Sequence, residues 1–280
     1  MKNDFYTFPG LLPETIKHPD EDKAYFNVMR SKKIQSLLKQ ANDLSVEFFI
    51  GTVRGSYVEL SEETAPDFFR VLKDVCRILN FPEIPRVFTR HAMSQEVIAC
   101  GSEEKYLVVS DYTMDEFNED EMYYLVGNAI AMYKAGHTDL SNLLQFLGGQ
   151  LFFAIDLPLK AFLRAADLTS DRGGLLACQS FAAAARCHFH ELGLPLSQSR
   201  ELFKTDEEAE AFVSRYLETV DETQDENEDI LIHIIKGVQN LAYFEGPANK
   251  MLAEMYRWYT DPKGYRRIIR TQGRPANARI

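Results

Sequence analysis

Several things are scarce in this 280-residue chain, and each shortage narrows what it can be. There are four cysteines, Cys76, Cys100, Cys178 and Cys187. They show no CxxC spacing and no disulfide-framework density, so reduced thiols acting as small core residues are expected. Positive charge is in deficit: 31 Lys and Arg face 42 Asp and Glu, a formal balance of −11. Non-specific binding to nucleic acid or to an anionic membrane needs a cationic surface, so neither is expected. The start, MKNDFYTFPGLL, lacks a basic segment followed by an apolar stretch. No secretory signal is expected, and the cytoplasm is the expected compartment. An uninterrupted apolar run of spanning length is also missing. Leu143 to Leu163 is interrupted by Gln145, Gln150, Asp156, Pro158 and Lys160, so buried helices joined by a turn at Asp156 to Pro158 are expected rather than a transmembrane segment. Weak membrane contact stays open.

Enough apolar material is present for a large core, with 45% hydrophobic residues. Its patterning predicts an α+β protein, mostly helical with a small mixed sheet of three or four strands. An amino-terminal arm and helix cover 1–45, with helical spacing from Asp20 to Ala41, and the remainder, 46–280, forms one compact unit with the arm. Residues 44–60, LSVEFFIGTVRGSYVEL, read as a short strand or hairpin. Phe68, Phe69, Leu72, Val75, Cys76 and Leu79 share one face of a helix from Ala65 to Leu79. Strands are expected at Arg86 to Thr89, Glu96 to Cys100 and Tyr106 to Ser110. The acidic stretch Asp115 to Glu121 suits a helix N-terminus. Phe162 to His190 reads as one Ala-rich helix, Glu201 to Tyr216 as another, and Glu218 to Asp229 as a mobile solvated loop. A final helix begins near Pro247 and ends before Asp261, followed by a basic tail.

The informative stretch is Asn128 to His137, NAIAMYKAGH, flanked by Leu125-Val126-Gly127. It resembles the active-site helix of HtpX-like and CAAX prenyl endopeptidase-like zinc metallopeptidases, which carries HExxH. Four other stretches extend the resemblance over nearly the whole chain. His18-Pro19-Asp20 resembles the amino-terminal arm, LNFPEIPRV (Leu79 to Val87) the link into the first strand, and VIACGSEEKYLVVS (Val97 to Ser110) the edge strand and its turn. RAADLTSDRGGLLACQ (Arg164 to Gln179) resembles the second metal motif, a Glu followed four residues later by Asp. The resemblance implies a zincin-like fold.

It also implies that the chemistry has been lost. In the family two His at i and i+4 and a Glu from a later helix hold zinc, and the Glu beside the first His is the base that activates water. Here Asn128 and Met132 replace the two His, Ala129 the base and Asp167 the Glu ligand. Asp171 keeps the carboxylate that would orient a ligating His. An amide oxygen, a thioether and a shortened carboxylate suit zinc poorly, so no zinc or other cofactor is expected. An inactivating substitution would explain Ala129 alone; four departures read as drift.

Two functions follow as expectations. One is a pseudopeptidase that binds a peptide or protein partner, such as an active homologous protease, by adding a strand to the edge Glu96, Val97, Ile98, Ala99 and Cys100. The alternative is an active metallopeptidase with a non-standard metal site. Other constellations are weaker. His190-Glu191 begins an HExxH imitation that Leu194 and Pro195 end. Cys178 and Cys187, nine residues apart on one helix, would stand out of phase, and His188 and His190 are expected at the surface or as caps.

Overall fold

The computed structural model describes residues 5–30, 32, 51, 53–101, 104–138, 157–225 and 248–276. Strands β1 (Tyr6–Thr7), β2 (Val58–Leu60), β3 (Arg86–Arg90), β4 (Val97–Cys100), β5 (Tyr106–Ser110) and β6 (Arg274–Pro275) form two sheets. Four of them make a mixed sheet of order β2-β3-β5-β4, in which β3 and β5 run parallel and the other neighbours antiparallel. Strands β1 and β6 pair separately, tying the amino-terminal arm to the carboxyl-terminal end.

Helices α1 (Pro13–Ile16), α2 (Glu21–Arg30), α3 (Pro66–Ile78), α4 (Asp111–Glu116), α5 (Glu119–Ala135) and α6 (Leu157–Cys178) are followed by α7 (Phe181–Glu191), α8 (Leu196–Leu202), α9 (Asp206–Asp225), α10 (Ala248–Thr260) and α11 (Tyr265–Gln272). Most of the described chain is therefore helical, as composition and periodicity imply. Among the described residues no helix is long and apolar enough to cross a membrane.

Alternation along the strands divides the sheet into two faces. Val87, Ala99, Leu107 and Val109 enter the main core with α3, α5 and α6, whereas Phe88, Cys100, Tyr106 and Val108 pack with Val53 on the other side. All four cysteines are buried, and none forms a disulfide.

Helix α5 lies at the centre, and its two ends are well specified. Asn118 and Glu121 form a capping box at the start, and Gly136, at φ 73°, closes the end in the left-handed region. The α5–α6 contact depends on missing side chains. A Cβ on Gly127 would lie 2.3 Å from that of Ala177, and one on Gly173 would lie 2.2 Å from that of Ala131. The two backbones therefore come close enough for short side chains to meet across them.

Several sequence expectations need correction. Residues 53–56 are helical, and among the described residues of the expected 44–60 strand region only Val58–Leu60 pairs in the sheet. The Ala-rich helix is two helices, because Gln179 adopts φ 51° and Ser180 caps the next by accepting from the Ala183 N–H. Gln179 is held there by the backbone of Tyr6, whose N–H it accepts from at 2.9 Å and whose carbonyl it donates to at 2.6 Å. The helix expected over Glu201 to Tyr216 is likewise broken at Phe203 and restarts at Asp206. It then continues through Glu218 to Asp225, where a loop was expected. The basic tail forms α11, and its Arg266 lies 3.2 Å from Glu210 of α9. Residues 33–50, 139–156 and 226–247, which include most of the Leu143 to Leu163 stretch, lie outside the described residues.

Candidate functional site

The five positions singled out by the motif stand on the facing helices α5 and α6. Asn128, Ala129 and Met132 come from α5, Asp167 and Asp171 from α6. The structure joins two of them directly: the Asn128 amide donates to Asp171 Oδ1 at 2.8 Å. Ala129 is buried in the main core, and Met132 is half-buried against it. Asp167 is half-buried one helical turn before Asp171, and its carbonyl accepts from the Ser170 hydroxyl at 2.8 Å.

Asp171 is the centre of a buried polar cluster that extends beyond those five positions. Tyr124, one turn before Asn128 on the same face of α5, donates its hydroxyl to the same Oδ1 at 2.9 Å. The Tyr124 oxygen also lies 2.8 Å from His188 Nε2. Because the phenol proton points to the carboxylate, the hydrogen-bond network assigns the imidazole proton to Nε2. His188 Nδ1 then carries the lone pair; it has no hydrogen-bond partner and lies 3.7 Å from a Glu191 carboxylate oxygen.

Burial pushes the His188 pKa below its ordinary value, against the opposing pull of Glu191. Burial first, and the Asp171 charge second, hold the Tyr124 phenol well above its own. This cluster gives Asp171 a partner and corrects the expected placement of His188. Asp171 does have an imidazole nearby, with His188 Nε2 3.7 Å from Oδ2, and it comes from α7 rather than α5. His188 is 3% exposed, not a surface residue, whereas His190 is half-buried against Tyr112.

As a metal site the donor set fits zinc poorly. The Asn128 amide nitrogen faces Asp171, and Asp171 Oδ1 already accepts two hydrogen bonds. What remains is an amide oxygen, a thioether and an aspartate, without imidazole or thiolate at the motif positions. Among the described residues no three His, Cys, Asp or Glu side chains form a metal-holding group.

His137 lies past the end of α5. Its Nε2 is 3.0 Å from Glu21 Oε1, and Glu21 Oε2 accepts from the Thr169 hydroxyl. This buried contact ties α2 to α5 and α6.

Strand β4 runs beside α5 at the edge of the sheet among the described residues. Its register shows which backbone groups are committed. The Ser110 N–H donates to the Glu96 carbonyl, so residues 96, 98 and 100 turn their backbone groups toward β5, while Val97 and Ala99 turn theirs to the open edge.

Tyr133 of α5 caps the far end of the β4–β5 ladder. Its hydroxyl accepts from the Cys100 N–H at 2.9 Å and lies 2.7 Å and 2.5 Å from the carbonyl oxygens of Cys100 and Tyr106. At the near end, Glu96 is paired with Arg90 at 2.5 Å, and its N–H donates to the Thr113 hydroxyl. Of the five-residue edge, Val97 and Ala99 thus have main-chain groups with no hydrogen-bond partner among the described residues; Val97 is half-buried and Ala99 is buried.

Tyr124, Tyr133 and His188 were not singled out by the motif. For Tyr124 the signal was available, since it stands four residues before Asn128. His188 could not be placed without the break at Gln179. Comparison of the chain with family models, with curated proteins and with solved structures gave no match.

Proposed function

We propose that the chain is a pseudopeptidase of HtpX-like type, a cytoplasmic binding or scaffolding protein that takes an extended peptide or protein segment along β4. An active homologous protease is one such partner. The observation that carries the reading is the Asn128 to Asp171 hydrogen bond. At the position of the first metal-binding His, the side chain serves the carboxylate that would have oriented that His, which makes the pair a structural contact between helices. The main-chain groups of half-buried Val97, turned away from β5, support the binding half of the proposal, because strand addition draws its affinity from such groups.

Proline at residue 97 tests it. The Val97 N–H points away from β5, so Val97→Pro removes a bond to a guest strand while leaving the ladder to β5 in place. Binding of a co-purified or selected extended peptide, measured by calorimetry, is expected to weaken roughly fivefold for one lost bond of about 1 kcal/mol. Unchanged affinity in Val97→Pro would refute edge-strand binding. Stoichiometric zinc in chelator-free protein, with cleavage of unstructured peptides, would instead establish a metallopeptidase with unusual ligands.

A further inference from the structure

Outside the α5–α6 cleft, a cavity of about 380 Å³ opens between α4, the end of α7 and the start of α8. That volume falls in the range of small-molecule sites, roughly 300–1,000 Å³. Its lining includes Tyr112, Glu116, His190, Leu196, Ser197 and Arg200.

One wall is a fixed aromatic surface. The Tyr112 and His190 rings are stacked with centroids 5.9 Å apart and planes at 12°, and Phe117 meets both edge-on. His190 Nδ1 lies 3.3 Å from the Leu194 carbonyl, which can only accept, so Nε2 accepts from the Tyr112 hydroxyl at 3.0 Å. Both rings are therefore held before anything binds.

The charged groups are divided by sign. Arg200 gives Nε and Nη2 to the fully buried Glu121, at 3.0 and 2.6 Å, and Nη2 also to the Glu116 carbonyl at 2.7 Å. Glu121 receives Arg186 as well, at 2.7 Å, so two guanidiniums share one carboxylate and the cluster keeps a net positive charge. Arg200 Nη1 has no acceptor among the described residues. The Glu116 side chain is exposed and has no hydrogen-bond or ion-pair partner among them. A cavity that offers one oriented cation, one available carboxylate and an aromatic wall is matched to a ligand carrying both charges and a ring.

We propose that this cavity binds a small zwitterion of amino-acid type with an aromatic side chain. Its carboxylate meets Arg200 Nη1 and the Ser197 hydroxyl, its ammonium meets Glu116, and its ring lies on the Tyr112–His190 wall. A plain carboxylate would be repelled by Glu116 and a plain amine by Arg200, so both charges are needed.

Calorimetry on the full chain with L-phenylalanine, 3-phenylpropionate and phenethylamine tests the assignment. Saturable binding of L-phenylalanine is expected, with each one-charge analogue at least about tenfold weaker, the order of one charge-assisted hydrogen bond. Glu116→Gln, at an exposed position, should weaken L-phenylalanine by a similar factor and remove its advantage over 3-phenylpropionate. Ser197→Trp should fill the cavity and abolish binding, with folding checked by circular dichroism. Absence of saturable L-phenylalanine binding, equal binding of 3-phenylpropionate, or a Glu116→Gln variant that binds L-phenylalanine as well as or better than the parent would overturn the proposal. Arg200 is left intact because it also holds Glu121.

Discussion

Replacing Asn128 with Ala removes one of the two donors to Asp171 Oδ1 and leaves Tyr124 as the other. Asp171 is 5% exposed, so water replaces the lost amide poorly. A hydrogen bond to a charged acceptor contributes about 1.5–3 kcal/mol. Asn128 itself is half-buried and admits some solvent, which places the expected loss near 2 kcal/mol. For a chain of 280 residues that corresponds to a fall of roughly 3–4 °C in Tm.

A second substitution separates this cause from simple truncation. Asn128→Asp keeps the shape but sets a carboxylate against a carboxylate, and should cost more than Asn128→Ala. In an Asp171→Asn background the penalty of Asn128→Asp should shrink, since the repulsion has been removed. Urea melts of the parent, the three single variants and the double variant, read by fluorescence and circular dichroism, measure these differences. If Asn128→Ala stays within about 0.5 kcal/mol of the parent, and Asn128→Asp is no worse, Asn128 does not serve Asp171 and the structural role assigned to the pair is wrong.

Glu121→Gln leaves Arg186 and Arg200 without their shared counter-charge and should destabilise by about 3–5 kcal/mol in denaturant melts. Burial pushes the Glu121 pKa up, but hydrogen bonds from Arg200 and the Asn118 N–H and the charges of Arg200 and Arg186 outweigh it, so the folded value lies below the ordinary 4.5. Its contribution is therefore fully present above pH 4.5 and is lost as pH falls through the lowered folded value; melts across that window should show a shallower acid limb in Glu121→Gln. Gly127→Ala places a Cβ 2.3 Å from that of Ala177 and must push α5 and α6 apart, so a loss of about 1–3 kcal/mol is expected, and a neutral result would refute the close approach. Restoring the ligand types with Asn128→His, Met132→His and Asp167→Glu should yield a protein that binds one zinc ion by elemental analysis and is stabilised by it, with Asp171 placed beside the new imidazole. Failure to bind zinc in a folded triple variant would undercut the family resemblance at the site.

Much of the local structure was legible because it rests on short-range rules. Helix α3 follows from the single apolar face of Phe68, Phe69, Leu72, Val75 and Cys76, and the core strands from β-branched and aromatic runs between breakers. The carboxylates before NAIAM did mark a helix start, but Glu121 is clamped in the interior by two arginines distant in sequence, which a dipole argument does not foresee. The Ala-rich segment looked continuous because its run of helix-favouring residues outweighs Gly173-Gly174. Its break at Gln179 depends on a hydrogen-bond pair with Tyr6, 173 residues away. Val53 is a β-favouring type, yet it is helical and buried against Phe88 and Tyr106. There, packing on the sheet outweighed local preference.

NAIAMYKAGH by itself determined which chemical groups stand at the candidate site, and hence that no imidazole pair and no neighbouring glutamate occupy the motif positions. Residue identity is a local fact, and helical spacing already places Tyr124, Asn128 and Met132 along one face. Only the tertiary structure decided what those groups do. The missing side chains at Gly127 and Gly173 let α5 and α6 approach until Asn128 reaches Asp171, and the break at Gln179 sends His188 back toward Tyr124. Those contacts join residues tens of positions apart, so their geometry is set by the packing of whole helices and is not contained in any local stretch of sequence.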